Sequence, residues 1–328
     1  MPSLRIPLQL PDGNQGTVSL YSDGDEPHLT YTESDHPVEN RAWTLEEKVL
    51  SPRVLVYSAT HLRWLCDSGQ YSDGGAQENF MDYKAARYRL PLKEREIVSH
   101  PSENNVPTTS MHESWRILVA EFTRRSLTAP EDKLRAIAGL AEEYAYLMND
   151  IYKAGLWMSE IITELLWRRN SFTNAGKLRP RPRNYRAPSW SWASMDGEVH
   201  IRKQNVEAVE FEVAECTTTL LSEIVPFGEV SSAILKVHAR TRVVWWNRTT
   251  ENIFDREGGI QCGKGVPDAL EDKIPITLTV TALRVSANNG MLITPEKEEG
   301  GLYQRVGWLY FDNDDMFDRC ERSIVSIV

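Results

Sequence analysis

Apolar residues recur every three or four positions between 110 and 170 and every second position beyond 188, and this change of period divides the chain. Met111, Trp115, Leu118, Val119 and Phe122 form one helical stripe, and Leu134, Ile137, Ala138, Ala141, Ala145 and Met148 a second. Leu156, Trp157, Ile161, Leu165 and Leu166 supply a third. Ser110 with Glu113, and Thr128 with Glu131, have the spacing of a capping box, in which a hydroxyl accepts a first-turn N–H and the glutamate reaches back to the cap. Amphipathic helices adjacent in sequence predict a helical layer. Past Pro188 the period of two puts Trp190 and Trp192 on one face of a strand, and Leu235, Val237 and Ala239 on one face of another. Ile276-Thr277-Leu278-Thr279-Val280-Thr281-Ala282-Leu283 alternates cleanly, and the segment from Gly301 to Phe311 is a late strand. The predicted fold class is α+β: a helical layer in the middle of the chain followed by a mostly antiparallel β region, a sandwich or a small barrel.

Upstream, Thr44 and Glu47 have the same capping-box spacing, Ser51-Pro52 stops the helix they open, and Val54-Leu55-Val56-Tyr57 reads as a buried strand. Before position 40, turn clusters surround one short strand at Thr17-Val18-Ser19-Leu20-Tyr21. Polar residues, glycines and prolines from 68 to 109 predict a long loop with one short helix. Four regions result: 1–67, a strand, helix and strand; 68–109, the loop; 110–187, helices followed by a basic connector; and 188–328, the β region.

The 328 residues carry a formal net charge of −10, which disfavours a general binder of nucleic acid or anionic membrane. No apolar run reaches spanning length and Met1-Pro2-Ser3-Leu4-Arg5 opens no secretory signal, so a cytoplasmic protein is expected. Cys66, Cys216, Cys262 and Cys320 form no C-x-x-C pair, so reduced, mostly buried thiols are expected rather than disulfides or a zinc site.

The stretch from Arg41 to Arg53 resembles the R-[GA]-W-T-x-[QE]-E-x-x-x-S-x-R block that closes the fungal heterokaryon-incompatibility (HET) domain. Four further segments are similar to that family in the family's order. His61-Leu62-Arg63-Trp64-Leu65-Cys66 resembles an x-x-x-W-E-C strand with Leu65 replacing the glutamate, and the segment from Glu131 to Ala141 resembles D-K-L-x-A-[IL]-x-G-[IL]-A. Ala154-Gly155-Leu156-Trp157 with Leu165-Leu166-Trp167 resembles A-G-L-W … L-L-W, and the segment from Tyr185 to Gly197 resembles Y-x-A-P-S-W-S-W-A-S-x-D-G. The family's opening L-S-Y-x-W-G and W-I-D-x-x-C-I-x-Q motifs do not occur, so the chain is expected to hold the closing block and the region after it. A truncated gene model, a decayed paralogue and a natural short form all remain open. The resemblance implies non-self recognition and cell-death signalling through a protein partner, without the family's TIR-like effector half. The interface residues it implies are Arg41, Trp43, Glu47, Arg53, Trp190, Trp192 and Asp196.

Other chemistry is weighed on the residues themselves. Arg41 beside Glu46 and Glu47 could act on a small anionic or nucleotide substrate, but capping accounts for both acids, and no catalytic residue is assigned. The run Arg168, Arg169, Lys177, Arg179, Arg181, Arg183 and Arg186 could bind nucleic acid or an acidic partner, yet Pro180 and Pro182 favour an extended connector. Trp157, Trp190 and Trp192 could line a groove, although their apolar area favours burial. His61 and Cys66 fall on opposite faces of a strand and make no metal site; Asp312, Asp314 and Asp315 lack the glycine and glutamate of a calcium loop. The glycines around Lys264 do not match a phosphate loop and predict an irregular loop. No metal or cofactor is expected.

Overall fold

The computed structural model describes residues 4–9, 13–20, 37–57, 62–66, 69–72, 110–171, 177–203, 210–271, 277–297, 301–311 and 316–328. Two compact units, Met1–Pro37 and Val38–Val328, make up the chain. In the first, β1 (Leu4–Gln9) and β2 (Gln15–Leu20) form an antiparallel hairpin, so the expected strand has a partner that the sequence reading left as loop.

The second unit opens with helix α1 (Trp43–Leu50). Its cap is Ala42, without a side-chain hydrogen bond, and Thr44 lies one position inside the helix. The Thr44 hydroxyl donates to the carbonyls of Val38 and Arg41, both at 2.7 Å, instead of accepting a first-turn amide. The expected Thr44–Glu47 capping box is therefore not formed. Helix α1 ends at Ser51, ahead of Pro52, as read. Strands β3 (Arg53–Tyr57), β4 (Leu62–Cys66) and β5 (Gly69–Ser72) follow as an antiparallel sheet in that order. Leu55 and Tyr57 are exposed, so β3 is not the buried strand expected. Strand β5 occupies the start of the expected 68–109 loop, and His61 and residues 73–109 lie outside the described residues.

Helix α2 (Met111–Arg124) carries the capping interaction read from its sequence, with the Ser110 hydroxyl accepting the Glu113 amide at 3.2 Å. Trp115, Leu118, Val119 and Phe122 are buried along its stripe. The second expected helix is shorter. Thr128 caps nothing; short 3-10 turns, Pro130–Lys133 and Arg135–Ile137, precede helix α3 (Ala138–Met148). The third is replaced by a tight hairpin, β6 (Tyr152–Lys153) and β7 (Leu156–Trp157), and one helical turn, α4 (Ile161–Glu164). Ala154 and Gly155 at its bend have φ of 46° and 100°, a left-handed corner that no helix tolerates.

The segment from Tyr185 to Gly197 is likewise no strand. Trp192 starts a 3-10 turn, Trp192–Ser194, capped by the Ser191 hydroxyl. Its Cβ stripe is therefore not that of a pleat, although Trp190 and Trp192 are both wholly buried, as their size favours. With Trp115, Trp157 and Trp167 they form the centre of the larger core. Strands β8 (Arg168–Arg169) and β9 (Val199–His200) pair across this region.

The β region is built from β10 (Glu212–Leu220), β11 (Val230–Asn247), β12 (Asn252–Phe254), β13 (Gln261–Pro267), β14 (Thr277–Arg284), β15 (Asn289–Pro295), β16 (Leu302–Phe311) and β17 (Arg322–Ile327). The path β11, β12, β13, β16, β15, β14 returns to β11, closing a six-stranded antiparallel barrel. Closure removes free edges, and the interior is filled by Val244, Trp246, Ile253, Leu292, Leu309 and Phe311 among others. Gly265, expected in a loop, is an interior position of β13. A Cβ there would stand 2.6 to 2.9 Å from Leu292, Trp246 and Ile253, so only glycine leaves room for Trp246.

Strand β11 serves both cores. Leu235, Val237 and Ala239 face the tryptophan-rich core, whereas Val244 and Trp246, of opposite parity, face the barrel interior. Arg305 of β16 fastens the barrel to the helical layer. Wholly buried, it pairs with Asp268 at 2.9 Å, donates to the carbonyls of Leu165 and Trp167 at 2.6 Å each, and stacks on Trp167 at 3.6 Å.

Candidate functional site

Three segments distant in sequence meet beside the C-terminal end of α2. The backbones around Arg41 and Ser126 bridge, with the Ala42 amide donating to the Ser126 carbonyl at 3.0 Å and the Ser126 amide to Asn40 at 2.7 Å. Arg125, nearly buried, donates to the Thr44 hydroxyl at 3.3 Å and to Glu39 at 2.7 Å. From the other side Arg186, also buried, donates to the carbonyls of Pro130, Ala193 and Met195 and to the Asp196 carboxylate at 2.9 Å. Between them is a cavity of about 160 Å³ whose charged lining is Arg124, Arg125, Lys133, Arg179 and Asp196.

Lys133 is the unusual member. Its exposure is 4%, and among the described residues its ammonium has one hydrogen-bond acceptor, the Met195 carbonyl. Burial, with the nearby charges of Arg186 and Arg179, holds its pKa well below the ordinary lysine value against the opposing pull of Asp196. Asp196 is committed to Arg186. The position is a low-dielectric one where like charges converge and the lining carboxylate among the described residues, Asp196, is engaged by Arg186.

The site residues expected from the sequence separate into two groups. Arg41, Trp43, Glu47 and Arg53 are exposed on α1 and the start of β3. Trp190 and Trp192 have no accessible surface, so the expectation that they meet a partner is corrected: their work is packing and hydrogen bonding. Trp192 donates from its indole to the Gly155 carbonyl at 2.9 Å, and the Trp190 carbonyl accepts from Trp167 at 2.8 Å. Asp196 lies at the cavity.

The constellation of Arg41 with the two glutamates is not assembled. Among the described residues Arg41 makes no ion pair with either acid, and Glu47 is exposed. Glu46 turns inward and accepts the Gly139 amide at the start of α3; burial, then the charge of Glu47, raises its pKa to about 7 in spite of that bond. The basic run does not form one stripe. Arg186 is buried, Arg168 stacks on Trp308, and Arg181 donates to the Arg305 carbonyl.

One cluster had no signal in the sequence. His112, Asp150 and Ser159 come together, with the Ser159 hydroxyl 2.5 Å from Asp150 and 2.9 Å from His112 Nε2, and His112 Nε2 3.1 Å from Asp150. Serine and aspartate address the same imidazole nitrogen, so no relay runs from acid through base to nucleophile. Asp150 also accepts the amides of Ile151 and Ser159. Burial raises its pKa, but the bonds from Ser159, His112 and these amides outweigh it and hold the carboxyl below its usual range. The cluster pins the turn after α3 to the start of α2.

Among the described residues no group of three or more histidine, cysteine or acidic side chains could hold a metal, and no helix is long and apolar enough to cross a membrane. The four cysteines form no disulfide among the described residues and are half-buried. Asp312, Asp314 and Asp315 lie outside the described residues. No protein-family model, curated protein or solved structure matches the chain.

Proposed function

We propose that this chain is a cytoplasmic component of a HET-type non-self recognition and cell-death system, acting through contacts with a protein partner. The observation that carries this reading is that four of the five segments resembling the HET family are joined to one another, mostly by residues on which the resemblance rests. Glu46 of the first segment accepts the Gly139 amide of the third. Lys133 of the third donates to Met195 of the fifth, and Trp192 of the fifth donates to Gly155 of the fourth. A chance scatter of short matches would not be expected to interlock in this way.

The surface offered to a partner is α1 with its sheet. Arg41, Trp43, Glu47 and Arg53 are exposed there, and Leu55 and Trp64, directly paired across β3 and β4, are 43% and 38% exposed. Among the described residues β3 pairs only with β4, leaving one edge for strand addition. Expression of this chain alone in a filamentous fungus is expected to leave viability unchanged, and incubation with NAD to release no nicotinamide. Robust killing, or turnover of NAD, would overturn the reading.

A further inference from the structure

We infer that the cavity between α2 and the segment from Tyr185 to Gly197 binds a phosphate group, held by Lys133 and Arg179 with help from Arg125. The inference is independent of the proposed signalling role, since it stands on charge and burial at one cavity.

Buried charges in proteins are paired, because an ammonium taken from water without a counter-charge costs several kcal/mol. Several buried cations here obey that rule: Arg125 has Glu39, Arg186 has Asp196 and Arg305 has Asp268, while half-buried Arg168 lies over the Trp308 ring instead. Lys133 has no carboxylate within ion-pair distance among the described residues, and neither has Arg179, which lines the same cavity. Arg125 adds a buried Nε–H with no acceptor. A buried lysine without a carboxylate partner, an exposed arginine at the cavity mouth and a spare N–H suit an anion with several acceptor oxygens, which describes a phosphate monoester or free phosphate at neutral pH. A monocarboxylate would leave one cation unanswered.

The space agrees with the charge. A cavity of about 160 Å³ is several times what a single water needs. Ser126, Pro130 and Arg179 on its rim are exposed, so a ligand can enter and an ester substituent can project outward. The mean charge of −10 repels anions, but screening confines that field to about 8 Å at physiological ionic strength, and the nearest charges are the cavity's own.

Titration calorimetry and thermal unfolding of the whole chain, with inorganic phosphate and with AMP at ionic strength fixed by sodium chloride, test the site and distinguish its sources. Saturable binding is expected. Tighter binding of AMP assigns a phosphate ester and tighter binding of phosphate assigns the free ion; either supports the site. Arg179→Gln, at an exposed position that should not disturb folding, is expected to weaken binding about tenfold, and Lys133→Met about a hundredfold, as loss of charge-assisted bonds predicts. Absence of saturable binding by both ligands overturns the inference. So does an affinity unchanged in Arg179→Gln, which decides the matter even if Lys133→Met does not fold.

Discussion

Two buried cations, Arg305 and Lys133, show opposite solutions to one problem. Arg305 has a carboxylate, two carbonyls and an aromatic face arranged about its guanidinium, so every direction in which it could donate or stack is occupied from within the chain. Lys133 has one carbonyl, a more distant ring face at Trp192, 5.7 Å away, and two like charges set against the single opposite charge of Asp196, which is itself paired with Arg186. Burial alone therefore does not distinguish a structural cation from a binding one. What distinguishes them is whether the surrounding chain completes the coordination, and at Lys133 it stops short.

Breaking each site should expose that difference. Arg305→Met strands Asp268 and two carbonyls in the interior and is expected to cost about 3–5 kcal/mol in urea unfolding, as removal of one partner of a buried pair does. Lys133→Met, measured in phosphate-free buffer, removes a charge that has no partner to strand and is expected to stay within about 1 kcal/mol of the parent. Equal losses at the two positions would erase the distinction.

Smaller effects sharpen the contrast between used and unused local signals. Ser110→Ala should cost about 1 kcal/mol through loss of the helix cap, whereas Thr128→Ala, at a residue that caps nothing, should be near neutral. The last effect is a slope rather than a step. Glu46 titrates near 7 in the fold against 4.5 ordinarily, so between these values the native state keeps a proton that the unfolded chain has released. Stability is greatest below about pH 4.5 on this account and declines as pH rises through 7. In Glu46→Gln that component of the pH profile should disappear, and an unchanged profile would show that another group is responsible.

These contrasts also show which parts of the molecule could be read from its residues. Helix α2 was legible because its cap and its stripe are local and agree. Thr44 and Thr128 have the same spacing, but the turn ahead of Thr44 extends the helix upstream, and Pro130 redirects the chain after Thr128 into 3-10 turns. The hairpin strand Leu156–Trp157 fits the expected third helix because apolar spacing there suits either period, and Ala154 in a left-handed conformation gives no warning. In the β region alternation named β14 and β16 correctly, yet β13 was missed, since its glycines serve close packing against Trp246 rather than a turn. The cavity was least legible. Lys133 sits in a motif where an exposed lysine would look identical, and its neighbours Arg179 and Asp196 reach it only through tertiary structure.

Strand β11 carries one further consequence. Because Leu235, Val237 and Ala239 belong to one core and Val244 and Trp246, of opposite parity, to the other, sliding it by a single residue would turn Val237 outward and Trp246 inside out in the same movement. Neither core can tolerate a pairing error that the other would accept. The two cores are thus bound by a common register as well as by contact, and the barrel cannot close on a wrong alignment without the tryptophan layer registering the fault.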